Sequence, residues 1–252
     1  MSISQMALDT IGFGGVRKSS TKVLSVSRPF VPLTAHHDGW AQHAEPILTR
    51  APHVPPSTDL VASKPHMKDD ELALFEPLLR QASHVLEYGC GGSTVLAASY
   101  RDLRLFGVES DPVWLQKIEA HPALKSASAM GRFLLNYVNI GPTKKWGKPL
   151  TEDCRDNWPL YSNIPWSTQS DYDLIFVDGR FRVACILHAV LKAHRDTLIV
   201  VHDFWNRSHY HVVLPFLELK QSRGTLGVFQ RRHEIDKSCV EALINEYQYV
   251  SA

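Results

Sequence analysis

Val85-Leu86-Glu87-Tyr88-Gly89-Cys90-Gly91-Gly92-Ser93-Thr94 is the stretch that decides the fold of this chain. A short apolar run ends in an acid and a glycine-rich turn, and the residues that follow, Val95 to Ala98, favour a helix. The glycines permit positive φ and leave no Cβ beside a ligand at the turn. Free N–H groups at the start of the helix point to the same place. The stretch therefore predicts a strand, a helix, and between them a turn that can hold a carboxylate or phosphate.

Spacing separates two nucleotide-cofactor interpretations of this turn. A dinucleotide-binding turn has Gly-x-Gly-x-x-Gly or Ala, whereas Thr94 occupies the last place here. Glu87-x-Gly89-x-Gly91 resembles instead the first motif of the class I S-adenosylmethionine-dependent methyltransferases, in which the acid contacts the amino end of the cofactor's methionine. The sequence departs from the fullest pattern at Gly92-Ser93, where a further spaced glycine often stands. The resemblance implies an S-adenosylmethionine site containing Glu87, Gly89, Gly91 and Ser93; the alternative is a tight strand-to-helix connection without a ligand.

Composition excludes several classes of protein. The chain has 252 residues, of which 44% are hydrophobic and 21% charged, so it can bury a core. A net charge of +1 argues against broad neutralisation of nucleic-acid phosphates. The longest apolar runs are the length of strands, so no membrane span is expected. The scattered cysteines indicate neither a zinc site nor a disulfide framework; they are Cys90, Cys154, Cys185 and Cys239.

Residues 1–62 differ from the rest of the chain. They lack hydrophobic periodicity, and Asp9 is the only acid before Asp38. Basic residues among serines are typical of an organellar transit segment, but a disordered leader has the same composition. The sequence therefore predicts an N-terminal extension followed by one methyltransferase-like domain at 63–252. It predicts a cytoplasmic protein, or an organellar one if residues 1–60 are a transit segment.

A second strand, Leu103 to Glu109, ends in another acid. Ligands of open parallel sheets bind at the carboxyl ends of the strands, and an acid about twenty residues after the turn can accept both hydroxyls of a ribose. Glu109 occupies the second methyltransferase-like position, although it could instead cap the next helix, as Asp111 is expected to do. Before the first strand, the apolar face of Asp69 to Arg80 predicts a helix that Pro77 kinks or splits.

A third strand is predicted at Leu134 to Ile140, and residues 141–170 then show no core periodicity. This segment combines aromatic and basic side chains, which are costly to expose fully. We predict a lid or substrate loop. The alternative is a surface segment that packs on the domain, or a contact between subunits of an oligomer. Its aromatic residues are Trp146, Trp158, Tyr161 and Trp166.

Two buried strands, Tyr172 to Val177 and Thr197 to Val201, each end in polar residues. They bring Asp178 and the pair His202-Asp203 to the edge that carries Glu109. Both strand ends look like those of a largely uncharacterised group of methyltransferase-like proteins, over about residues 67–230. They are also similar in part to the catechol-type O-methyltransferases, which hold a divalent ion at Asp and Asp-Asn positions.

A divalent metal is possible at Asp178, His202 and Asp203 but is not favoured, because arginines flank Asp178 closely. Without a metal, His202 or Asp203 would be the general base. In a purely structural alternative, nearby arginines pair with Asp178 and Asp203; these arginines are Arg180, Arg182 and Arg207.

The C-terminal part is predicted to complete the sheet. A helix is expected from Ser208 to Lys220 and another from Asp236 to Asn245. Gly224 to Arg231 and Glu246 to Val250 are predicted to form a closing antiparallel pair. Together these segments indicate an α/β fold, a Rossmann-like, mostly parallel seven-stranded sheet with helices on both faces.

The sequence thus predicts S-adenosylmethionine-dependent methyl transfer to a small-molecule acceptor, at oxygen. Asp178, His202 and Asp203 are the predicted catalytic residues, and Glu87, Gly89, Gly91, Ser93 and Glu109 the predicted cofactor-binding residues. Two alternatives remain: a cofactor-binding protein without transferase activity, and a nicotinamide-dependent oxidoreductase. No nucleic acid or membrane partner is expected, and the oligomeric state is left open.

Overall fold

The computed structural model describes residues 64–251, and the predicted extension at 1–62 lies outside them. The helices are α1 (Asp69–Gln81), α2 (Gly92–Ala98), α3 (Pro112–Glu119), α4 (Pro122–Ala129), α5 (Trp158–Asn163), α6 (Pro165–Thr168), α7 (Arg182–Lys192) and α8 (Lys237–Tyr247). The strands are β1 (His84–Tyr88), β2 (Arg104–Glu109), β3 (Phe133–Tyr137), β4 (Thr143–Lys144), β5 (Lys148–Pro149), β6 (Leu174–Val177), β7 (Leu198–Val201), β8 (Leu217–Arg223) and β9 (Leu226–Arg231). Short 3₁₀ segments are Lys145–Gly147, Arg155–Asn157 and Ser208–Phe216. Within the described range, each helix is too short or too polar to cross a membrane.

Seven strands form one sheet in the order β3-β2-β1-β6-β7-β9-β8. In this sheet, β3, β2, β1, β6 and β7 run parallel to one another, whereas β9 is antiparallel to both of its neighbours, β7 and β8. Tyr88, the last residue of β1, pairs with Val108 of β2 and Val177 of β6. The carboxyl ends of these strands therefore meet at one edge. The predicted seven-stranded α/β fold is confirmed.

Each face of the sheet has its own hydrophobic core, because alternate strand residues point to opposite sides. In β1, Leu86 packs in the core that includes α7 and α8, whereas Val85 packs in the core that includes α1, α2 and α4. Helix α7 is buried from Arg182 to Val190, since α5 and α8 both pack against it. Rigid helices on both faces thus fix the strand ends that carry the polar residues.

The predicted pairing of Gly224 to Arg231 with Glu246 to Val250 is wrong. The partners of β9 are β7 and β8, and residues 246–250 are the end of α8 and the turn after it. The helix expected from Ser208 to Lys220 is a 3₁₀ segment to Phe216, and β8 follows it. Only Leu217 of β8 is buried, and a bulge interrupts its pairing after Leu219. An exposed edge strand lacks the apolar alternation that reveals strands in a sequence.

Residues 141–170 are more ordered than the sequence predicts. They contain the β4–β5 hairpin and helices α5 and α6, and Trp158 and Tyr161 are buried in the core. The indole Nε1 of Trp158 donates to the carbonyl of Ile140 at 2.9 Å. Helices of four to six residues are too short to give a recognisable period.

Pro77 neither splits nor ends α1, which runs unbroken from Asp69 to Gln81. Pro77 and Ala73, whose carbonyl loses its helical partner at a proline, are both exposed. Water can therefore bond the free carbonyl.

Candidate active site

A cavity of about 780 Å³ opens at the carboxyl ends of β1, β2, β6 and β7. Its size falls within the range of small-molecule sites, about 300–1,000 Å³. Every predicted site residue except Glu87 lines it, namely Gly89, Gly91, Ser93, Glu109, Asp178, His202 and Asp203. The topology thus brings together strand ends that are far apart in the sequence.

The glycine turn after β1 is packed on its inner side and open on its outer side. Gly89 has φ of 89°, and its N–H donates to the carbonyl of Val108 at 2.9 Å. A Cβ on Gly89 would lie 2.5 Å from the Cα of Gly179, so the two backbones touch. A Cβ on Gly91 would meet nothing within 4 Å. The turn therefore leaves free space on the cavity side at Gly91.

Glu87 lies beneath the turn and is 1% exposed. Its carboxylate accepts the hydroxyl of Ser93 at Oε1 and that of Thr94 at Oε2, the latter at 2.7 Å. Burial raises the pKa of Glu87 to about 8, although both hydroxyl bonds act in the opposite direction. In this geometry Glu87 ties β1 to the start of α2, and its side chain does not line the cavity.

Glu109 lies at the end of β2 and faces the cavity with 6% exposure. Its Oε1 accepts the backbone N–H groups of Ser110 at 2.6 Å and Asp111 at 2.9 Å, and Oε2 accepts that of Cys90 at 3.2 Å. Burial raises its pKa to about 7, and these N–H groups oppose the rise. The bonds fix the carboxylate while leaving lone pairs for a ligand.

Asp111 caps α3, as expected, by accepting the N–H groups of Val113 and Trp114 at 3.0 Å each. The indole of Trp114 lines the cavity and donates to the carbonyl of Cys90 at 2.8 Å. The first turn of α3 is thereby joined to the glycine turn. Sequence analysis missed Trp114, which stands out only as an aromatic residue close after Glu109.

His202 lies between two carboxylates. Its Nδ1 is 3.1 Å from Oδ1 of Asp178, and its Nε2 is 3.5 Å from Oε2 of Glu71 in α1. Burial alone would lower the pKa of His202, but the hydrogen bond and charge of Asp178 raise it. The imidazole is therefore held ready to carry a positive charge.

Glu71 is a second residue that sequence analysis missed. Burial acts to raise its pKa, but bonds from the N–H and hydroxyl of Thr225, at 2.6 and 2.7 Å, help to lower it to about 2. Its place in the first turn of α1 is fully explained by the helix dipole, so the sequence carries no signal for its contact with His202.

Three arginines surround these groups, and two of them form ion pairs. Arg182 pairs with Asp178 at 2.9 Å, and Arg207 pairs with Asp203 at 2.8 Å. Arg182 also donates to the carbonyls of Asp178, Gly179 and His202, which joins the ends of β6 and β7. Arg180 also lines the cavity, but among the ion pairs of residues 64–251 it has no carboxylate partner.

The β4–β5 hairpin lies at the mouth of the cavity. Trp146 at its tip has φ of 67° and is 65% exposed, and its ring is 5.5 Å from that of His66. The carbonyl of Gly147 accepts the hydroxyl of Ser110 at 3.4 Å. The hairpin thus borders the cavity, whereas the second half of the segment 141–170 packs in the core, from which Tyr161 also reaches the cavity wall. The lid function remains a prediction.

Over residues 64–251, no three His, Cys, Asp or Glu side chains are grouped so that they could hold a metal ion. Asp178 and Asp203 direct their carboxylates to Arg182 and Arg207. These two aspartates are therefore already engaged with cations of the chain itself.

Solved structures resemble the chain, whereas no protein-family model and no curated protein matches it. A methyltransferase-like protein from Silicibacter pomeroyi is 29% identical, with a TM-score of 0.64; the match covers 76% of this chain and 99% of that one.

An O-methyltransferase from Streptomyces achromogenes, involved in tomaymycin synthesis and solved with S-adenosylmethionine, is 16% identical with a TM-score of 0.40, over 64% of this chain and 78% of that one. An RNA methyltransferase from Salinibacter ruber, solved with S-adenosyl-L-homocysteine, is 15% identical with a TM-score of 0.39. That match covers 67% of this chain and 92% of the other. These two are too distant to support an inference on the site. The strand order, the glycine turn and the likeness to the Silicibacter pomeroyi protein agree, and the chain belongs to the class I S-adenosylmethionine-dependent methyltransferase superfamily.

Proposed function

We propose that the chain transfers a methyl group from S-adenosylmethionine to an oxygen atom of a small-molecule acceptor. The observation that carries the proposal is the fixed carboxylate of Glu109 beside the open glycine turn, in one cavity with Asp178 and His202. A carboxylate at this strand end suits the two hydroxyls of a ribose. His202, at the end of β7, lines the same cavity and would act on the second molecule.

The residues present fit the cofactor. Glu109 would accept the ribose hydroxyls, and the space at Gly91 would admit the methionine part against the N–H groups that begin α2. Ser93 and Glu87 are bonded to each other. We therefore propose that Glu87 supports this end of the site by holding the turn, while Gly89 permits the close contact with Gly179.

S-adenosylmethionine supplies a methyl group that its sulfonium has already activated, so the chain has to orient the acceptor and remove a proton. His202 is the proton acceptor that we propose. The contact of its Nε2 with Glu71 is longer than a good hydrogen bond, so neutral Nε2 can take the proton of an acceptor hydroxyl. Asp178 and Glu71 would stabilise the imidazolium that forms. Asp203 is a weaker candidate base, because the hydrogen bond from Arg207 helps to lower its pKa despite partial burial.

The first prediction concerns Glu109. Replacing it with alanine removes charge-assisted hydrogen bonds worth roughly 1.5–3 kcal/mol. Affinity for S-adenosylmethionine should therefore fall by about tenfold to a hundredfold, measured by calorimetry. Glu119→Ala in α3 is the matched control, because Glu119 does not line the cavity, and it should bind like the unaltered protein. Equal affinity in the Glu109 variant would contradict the assignment.

The second prediction separates a base from a metal. A chelator should leave methyl transfer intact, because Asp178 and Asp203 are paired with arginines. His202→Asn should lower turnover at least tenfold while S-adenosylmethionine still binds. Since the base must be neutral and the pKa of His202 is raised from 6.5, turnover should rise with pH and reach half its maximum above pH 6.5.

Two results would count against this mechanism. Activity lost on chelation and restored by Mg²⁺ or Mn²⁺ would replace the base with a metal ion. Full activity in both His202→Asn and Asp203→Asn would leave neither residue with a catalytic role. Cofactor binding without transfer to any acceptor would favour the alternative of a binding protein that has lost its activity.

A further inference from the structure

Arg180 is the one arginine among those lining the cavity that is not explained by an ion pair within residues 64–251. It lies just after β6, beyond Asp178 and Gly179, and is 9% exposed. Its backbone N–H donates to the hydroxyl of Tyr161 at 3.3 Å, which fixes the main chain beside the cavity wall. The main chain from which its side chain extends is therefore fixed by the fold.

The guanidinium itself makes few bonds. Its Nη1 donates to the carbonyl of Ser251 at 3.4 Å, and its buried Nε has no partner in the described part of the chain. No hydrogen bond joins its Nη2 to residues 64–251. The guanidinium of Arg180 has five N–H donors in a planar fork, and within residues 64–251 it makes one long hydrogen bond, to a neutral carbonyl oxygen.

No carboxylate of residues 64–251 forms an ion pair with Arg180. Burial lowers its pKa, and the positive charges of Arg182 and Arg207, both paired with other carboxylates, act in the same direction. Burying a cation without a counter-ion is costly. Such a site gains most from a ligand that brings one negative charge and two acceptor oxygens.

We propose that Arg180 binds a carboxylate of the methyl acceptor, so that the substrates are small organic acids that also carry a hydroxyl group. Within residues 64–251 the guanidinium of Arg180 carries one positive charge without a carboxylate partner, which a carboxylate monoanion would balance. The planar guanidinium forms a bidentate pair with a carboxylate. Because His202 lines the same cavity, an acid held at Arg180 would have its hydroxyl near the proposed base. The identification of the ligand as the acceptor rests on the proposed methyl transfer, whereas the anion site does not.

The test uses acetate as the probe and needs no cofactor. The melting temperature of the full chain is measured over a range of acetate concentrations, with chloride keeping the ionic strength constant. Acetate should raise it in a saturable manner, and acetamide, which has the same shape without the charge, should not. Arg180→Met should need at least tenfold more acetate for the same effect. Arg223→Met is the matched control, because Arg223 is exposed on β8 and does not line the cavity, and it should behave like the unaltered protein.

Further arms cover the other outcomes. Arg180→Lys keeps the positive charge but lacks the planar fork, and it replaces the methionine variant if that variant does not fold. It should need at least threefold more acetate than the unaltered protein for the same rise in melting temperature. Inorganic phosphate acting through Arg180 at least tenfold more strongly than acetate would replace the carboxylate with a phosphate ester and overturn the proposal. Equal responses to acetate in all variants would remove the anion site. Cofactor binding is measured separately with S-adenosylhomocysteine, so failure of the anion site and failure of the proposed methyl transfer are distinct results.

Discussion

Replacing Arg182 with methionine is expected to lower the free energy of unfolding by roughly 2–4 kcal/mol, because the backbone carbonyls that the buried guanidinium bonds lose their donor at about 1–3 kcal/mol each. Arg182 is 3% exposed and bonds the carboxylate of Asp178 at 2.9 Å and the carbonyl of His202 at 2.6 Å. Methionine fills similar volume but removes the donor to the carbonyl of His202, whereas Asp178 keeps its contact with the imidazole of His202. Urea unfolding measures the change.

Arg207→Met is the matched control for this prediction. Arg207 pairs with Asp203 at a similar distance, but both side chains are about one-third exposed. A pair in contact with water contributes at most about 1 kcal/mol. A loss in Arg182→Met no larger than that in Arg207→Met would show that Arg182 does not hold the ends of β6 and β7 together.

Gly89→Ala is expected to lower the free energy of unfolding by roughly 2–4 kcal/mol, because positive φ and overpacking act together. The new Cβ would lie 2.5 Å from the Cα of Gly179 and 2.6 Å from its nitrogen. The backbones at Gly89 and Gly179 cannot easily move apart, because the N–H of Asp178 donates to the carbonyl of Tyr88 at 2.9 Å and joins the two strand ends. Affinity for S-adenosylmethionine should fall as well, because the turn would have to move.

Gly131→Ala is the control that separates the backbone strain of positive φ from the steric clash expected at Gly89. Gly131 has φ of 67°, also in the left-handed region, but a Cβ there would meet nothing within 4 Å. Its substitution should cost about 1 kcal/mol, from the backbone alone. Similar losses at Gly89 and Gly131 would mean that the contact between Gly89 and Gly179 does not constrain the turn.

The parallel part of the sheet could be predicted from the sequence. The strands β6 and β7 are continuous apolar runs, and β1 and β2 each contain a short apolar run, because these strands are buried on both faces. Parallel strands of a sheet place their ends at one edge, and this placed Glu109, Asp178 and His202 around a common cavity. Local rules also gave the cap at Asp111.

The sequence did not determine the outer parts of the fold. Strand β8 is an exposed edge without alternation, and the short helices α5 and α6 bury Trp158 and Tyr161 without forming a period. Their positions depend on contacts with residues far away in the chain. Such contacts leave no pattern within a short window of sequence.

Only the tertiary structure decided the electrostatics of the site. Glu71 approaches His202 from α1, although 130 residues separate them in the chain, because α1 packs near the turn that holds Thr225. The sequence does not distinguish the three arginines. In the structure, Arg182 and Arg207 form ion pairs with carboxylates, whereas Arg180 forms none within residues 64–251. A charge is compensated or left free by distances of a few ångströms, and those distances are set when the helices pack on the sheet.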